Sequence, residues 1–103
     1  MIRRAAIALA LLAAAAAPAL AVRVADDTGA PVELAAPARR IVTLAPHAAE
    51  LVAAAGAASR LVGVSARTDA PAEVRALPVV GDANAIDVER ILALAPDLVV
   101  AWP

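Results

Sequence analysis

Arg40-Ile41-Val42-Thr43-Leu44-Ala45-Pro46-His47-Ala48-Ala49-Glu50-Leu51 changes character at Pro46. Before it, Ile41 to Leu44 is a short β-branched run that suits a buried strand. Pro46 sits where a first helical residue would be, because its missing N–H costs nothing there. His47 to Ala55 is helix-forming, and Gly56 stops the helix as a C-terminal cap would. A strand passes directly into a helix, and the rest of the chain repeats that pattern.

Downstream, Leu61-Val62-Gly63-Val64 is a second apolar run, and Val79-Val80 before Gly81 is a candidate third. Asp87 is a good N-cap. Val88, Ile91, Leu92 and Ala95 follow at the spacing of one helical face, which predicts an apolar stripe turned to the sheet. Pro96-Asp97 breaks that helix, and Leu98-Val99-Val100-Ala101 reads as another buried strand. Upstream, Val22 to Ala25 and Val32 to Leu34 alternate around the turn signal Asp26-Asp27-Thr28-Gly29, which predicts a hairpin. Continuous apolar strands separated by helices imply an α/β fold with a mostly parallel sheet and covered faces. The expected architecture is a Rossmann-like, three-layer lobe preceded by a β-hairpin. The last strand, Leu98 to Ala101, has no helix after it, so the chain reads as the front part of a longer protein.

The chain has 103 residues, 63% of them hydrophobic, mostly alanine, with Trp102 as its one aromatic residue and no Cys or Lys. This length allows one domain at most. Nine Arg against ten acidic residues give a net charge of −1, without the basic stripe that a nucleic-acid partner would need. The absence of Cys excludes disulfides, thiolate catalysis and Cys-ligated zinc.

Residues 1–21 carry Arg3 and Arg4, an uncharged alanine-rich run and Ala19-Leu20-Ala21, the layout of a cleaved secretory signal peptide. The rival reading, a membrane anchor, has a charge-free stretch barely at the lower length limit for a spanning helix, interrupted by Pro18. Cleavage after Ala21 predicts a mature domain over 22–103, exported, soluble, mildly acidic and without stable membrane insertion.

No catalytic constellation is visible. One His leaves no His pair for a metal, and no glycine-rich phosphate loop occurs. Ser59 and Ser65 lack a nucleophile-elbow context. The expectation is a protein that is not an enzyme and holds no metal or cofactor of its own. In open α/β sheets, ligands bind outside the carboxyl ends of the strands. His47, Arg67-Thr68-Asp69, Gly81 to Asn84 and Trp102 all follow such ends. For His47 the competing reading is a surface residue at a helix start. For the two loops, a solvated loop and a cleft wall stand equally. For Trp102 a core position is the competing reading, and at a strand end beside Pro103 it reads as a flat wall for a ligand. The helix dipole by itself explains a carboxylate at Glu89.

Three stretches carry a resemblance: Arg40 to Leu51, Leu61 to Ser65, and Asp87 to Trp102. In this order and spacing, with the hairpin before them, they resemble the helical-backbone (class III) periplasmic solute-binding proteins of ABC importers. Members capture corrinoids (vitamin B12), ferric siderophores or haem. The cobalamin-binding branch of this Fe/B12 periplasmic-binding domain is the nearest. The resemblance implies a two-lobed protein with a ligand cleft between the lobes, of which 22–103 is part of the first lobe. It implies a monomer in the periplasm that hands a small metal-chelate ligand to the permease subunits. Pro46 and His47 match a cleft-lining turn, Trp102 an aromatic position beside the corrin, and Glu89 an acidic residue that docks to permease arginines. The chain departs from the branch at Arg67-Thr68-Asp69-Ala70-Pro71-Ala72, where Tyr-Ser-Asp-Tyr-Pro-Pro is usual, and near Ala83, where a tryptophan is usual. Fewer rings and an added Arg67 would suit an anionic ferric chelate or a haem propionate instead. A truncated product that binds nothing is the reading from another class.

Overall fold

A computed structural model describes residues 21–103. The segment read as a signal peptide lies outside the described residues, apart from Ala21. The chain divides into two units, 1–37 and 38–103.

In the first unit, β1 (Val22–Ala25) pairs antiparallel with β2 (Pro31–Leu34), with Val24 opposite Val32. The turn is built by Asp26, whose Oδ1 accepts from Thr28 N, Thr28 Oγ1 and Ala30 N at 2.7–2.9 Å. The Thr28 hydroxyl, followed by the Ala30 N–H, holds this carboxyl below the usual carboxylate range. Arg23 and Glu33 face each other across the strands at 3.1 Å. Both are exposed, so the pair adds only tenths of a kcal/mol, on the order of 0.5.

The second unit is a parallel sheet ordered β4 (Leu61–Gly63), β3 (Ile41–Thr43), β5 (Leu98–Val100). The central strand is buried throughout, as its unbroken β-branched run requires. Helix α1 (Pro46–Ala54) crosses from β3 toward β4, and the small Ala48 and Ala49 let its backbone lie close to the core. Ile41, Ala49, Leu61, Val64 and Val74 form that core. Gly56 ends α1 in the left-handed conformation, φ +87. Its N–H reaches Ala53 O while Ala57 N–H reaches Val52 O, the paired closure expected of a glycine cap. Asp87 caps α2 (Val88–Ala93), accepting from Arg90 N at 3.0 Å.

Three expectations need correction. Val79 forms only an isolated parallel bridge to Val64, and Val80 is buried beside it without extending into a strand. Helix α2 has six residues, and Ala95 lies beyond it at φ +48. The Arg40 guanidinium takes the Leu94 carbonyl at 2.7 and 2.9 Å, and Pro96 has no N–H with which to continue. The apolar stripe is therefore not turned to the sheet. Fewer than two turns present only one inward pair, half-buried Ile91 and Leu94, while Val88 and Leu92 are 60% and 71% exposed. Nor are all strand faces covered, since Val99 on β5 stays exposed.

Asp97 closes the unit at its other end. Its two oxygens accept the N–H groups of Arg39 and Arg40 at 2.8 and 2.9 Å, fixing the start of β5 to the start of β3. Those two bonds, Arg39 first, hold the carboxyl below its ordinary value.

Candidate functional site

The sheet delivers its loops to one end. Leu44 and Ala45 leave β3, Ser65 to Arg67 follow β4, Asp82 to Asn84 follow the Val79–Val80 segment, and Trp102 follows β5. Two hollows open there, of about 340 and 510 Å³. Leu44, Ala45, Asp82, Ala83 and Asn84 border both, so they form one trough. Pro46 and Arg67 line the first part, and Trp102 and Ile86 the second.

The structure brings His47 and Trp102 together. Their ring centroids lie 4.6 Å apart at 82°, an edge-to-face contact of the kind aromatic quadrupoles favour. Trp102 remains 65% exposed, so a broad apolar surface is still open to solvent. Glu89 is exposed on α2 and borders neither hollow. Of the other four sequence-selected residues, Pro46, Arg67 and Trp102 border the trough, and His47 borders neither hollow but contacts Trp102.

The loops are pinned from beneath. Ala66 N–H donates to Gly81 O at 2.7 Å, tying the second loop to the third. Asp82 Oδ1 accepts from Asn84 N and Ala85 N at 2.8 and 3.0 Å. The Asn84 and Ala85 bonds, with Arg67's charge as a smaller cause, hold the Asp82 carboxyl below the usual range. Ser65 and Thr68 are buried, with their hydroxyls 3.1 Å apart. Arg67, between them in sequence, has φ +63, an uncommon conformation for a residue with a Cβ.

The sequence reading found the Asp82–Asn84 loop and named Thr68 in a candidate cleft wall, but missed Leu44, Ala45 and the pairing of the buried Ser65 and Thr68 hydroxyls. Apolar Leu44 and Ala45 carry no chemical signal. The hydroxyl pair, three residues apart, carries only the spacing of a turn. Among the described residues, no group of three His, Asp or Glu is placed to hold a metal ion. No described helix is long and apolar enough to cross a membrane.

Residues 41–102 match a protein family described as "Periplasmic binding protein". A vitamin B12-binding protein of Vibrio campbellii is 46% identical over 67 residues, 65% of this chain and 24% of its own length. The crystal structure of the periplasmic vitamin B12 binding protein BtuF of Vibrio cholerae superposes with a TM-score of 0.63 at 48% identity, covering 65% of this chain and 26% of that one. The heme binding protein HmuT gives a TM-score of 0.65 at 29% identity, covering 84% of this chain and 28% of that one. The chain thus spans about a quarter of the length of the relatives it matches. The matched family is one of binding proteins, not enzymes. With the family match covering more than half of its residues, the chain belongs to the periplasmic binding protein family.

Proposed function

We propose that this chain forms one wall of the ligand cleft in the substrate-binding component of an ABC importer, and that the ligand is a corrinoid. The observation that carries the reading is the exposed Trp102 face, braced edge-on by His47 beside an open trough. A large flat ligand gains most from such a surface, since burying one aromatic side chain contributes roughly 1.5–3 kcal/mol. The similarity of 46–48% to vitamin B12-binding proteins supports the corrinoid over other flat chelates. Residues 1–21 direct export to the periplasm, Glu89 docks to permease arginines, and the protein works as a monomer. A second reading, haem or a ferric siderophore on the same wall, draws support from Arg67 at the trough and from the likeness to HmuT.

Equilibrium titrations with cyanocobalamin, hemin and a ferric hydroxamate siderophore test the assignment. Cyanocobalamin is expected to saturate at the lowest concentration and to quench Trp102 fluorescence. Tighter binding of hemin or of the siderophore, with cyanocobalamin inert, would replace the corrinoid reading with the second one.

A further inference from the structure

The seven described arginines divide by what they hold. Arg40, Arg60, Arg75 and Arg90 donate to the backbone carbonyls of Leu94, Ala38, Asp69 and Val79. Arg23 pairs with Glu33. Arg39 and Arg67 have neither kind of side-chain partner among the described residues, and of these two only Arg67 borders the trough. Its backbone is held at φ +63, where a side chain with a Cβ is disfavoured. The conformation persists because its flanks are locked. Thr68 Oγ1 donates to Ser65 O at 2.7 Å, which leaves the buried Ser65 hydroxyl to donate to Thr68 Oγ1. Ala66 N–H is fixed to Gly81 O. Strain maintained by buried polar bonds at the edge of a cleft is a mark of a functional side chain.

We infer that Arg67 is the anion-recognising group of this cleft, presented by the buried Ser65–Thr68 hydroxyl pair, and that it takes a phosphate or carboxylate carried by the ligand. The inference rests on the trough being the ligand site. A guanidinium binds either anion through charge-assisted, often bidentate hydrogen bonds. Thr68 acts as a positioning residue, since its hydroxyl braces the turn from below.

Paired ligands test this. Cyanocobalamin carries a phosphodiester that dicyanocobinamide lacks, and hemin carries two carboxylates that its dimethyl ester lacks. Arg67→Gly suits the left-handed turn, so the fold is kept while the charge is lost. It is expected to weaken the anionic member of one pair about tenfold and leave the other member nearly unchanged. Loss confined to cyanocobalamin identifies the phosphate, and loss confined to hemin identifies the carboxylate. Thr68→Val should reproduce the selective loss and Thr68→Ser should restore binding, while Arg39→Ala, at the far end of β3, should have no effect. Equal weakening of both members of a pair, or none, overturns the role of Arg67 while leaving the cleft assignment standing. If the unaltered protein binds none of the four compounds, the proposed function falls as well.

Discussion

Alanine in place of Gly81 should be far more damaging than alanine in place of Gly56, although both glycines have positive φ. At Gly81, φ is +139, and holding an L residue in such a region costs on the order of 1–3 kcal/mol. The new methyl would also meet backbone. It would lie 2.8 Å from Ile86 Cα and 3.2 Å from the Ala85 carbonyl carbon, with the Ala85 oxygen closer still. That turn cannot yield cheaply, because Asp82 N–H holds Ala85 O and Asp87 N–H holds Val80 O, at 2.9 and 2.8 Å. Forced overlap of this kind adds roughly another 1–3 kcal/mol. Around Gly56 nothing lies within 4 Å of the added carbon, leaving only the left-handed penalty of about 1 kcal/mol. The expected losses are therefore about 1 kcal/mol for Gly56→Ala and about 3 kcal/mol for Gly81→Ala. In melting temperature these correspond to roughly 5 and 15 °C for a unit of this size. Urea unfolding followed by far-UV circular dichroism measures both on one scale. Equal losses, or a smaller one at Gly81, would refute the backbone-contact argument.

Thr43 is fully buried and its Oγ1 has no partner among the described residues, so Thr43→Val should raise stability by about 1 kcal/mol in the same assay. The folded state lowers the pKa of Asp97, so its contribution is present above the unfolded value and is lost as pH falls through the folded one. Acid titration of Asp97→Asn should accordingly show a flatter loss of stability at low pH than the unaltered protein, and an unchanged acid limb would count against the clamp. Trp102→Ala should weaken corrinoid binding by roughly 1–3 kcal/mol in calorimetry, through lost apolar contact. Glu89→Ala should leave ligand affinity and melting temperature unchanged while lowering permease-stimulated ATP hydrolysis, because a docking carboxylate acts on association.

Features fixed by neighbours in sequence were legible. Gly56 as a cap, Pro46 as a first helical residue, Asp87 as an N-cap and the Asp26 turn are set by bonds spanning two to five residues. The strands at Ile41, Leu61 and Leu98 were legible for the same reason, since each is an unbroken apolar run, although only β3 is buried throughout. The Asp97 clamp was not, because its partners are 57 and 58 residues away. The sequence could not show that Val88 and Leu92 face outward, because helical spacing defines a stripe without saying where the helix stops. At the site, strand-end logic selected Arg67 and Trp102, and the family resemblance Pro46, all of which border the trough, but the His47–Trp102 contact needed the sheet order β4-β3-β5. The left-handed turn at Arg67 was invisible, because nothing local in an Ala-Arg-Thr triplet asks for it.

The parallel pairing of β3 with β4 and β5 has a consequence for the order of folding. The central strand comes first in the chain, and both of its partners come later. Asp97, which fixes β5, lies 57 residues beyond Arg40, so a long loop must close before β3 gains its second neighbour. Until then Ile41-Val42-Thr43 is a β-prone apolar segment with a ladder edge unmet, which favours wrong pairing. The nine residues of α1 are too few to be stable alone in water, so this helix is completed only as it packs on the core.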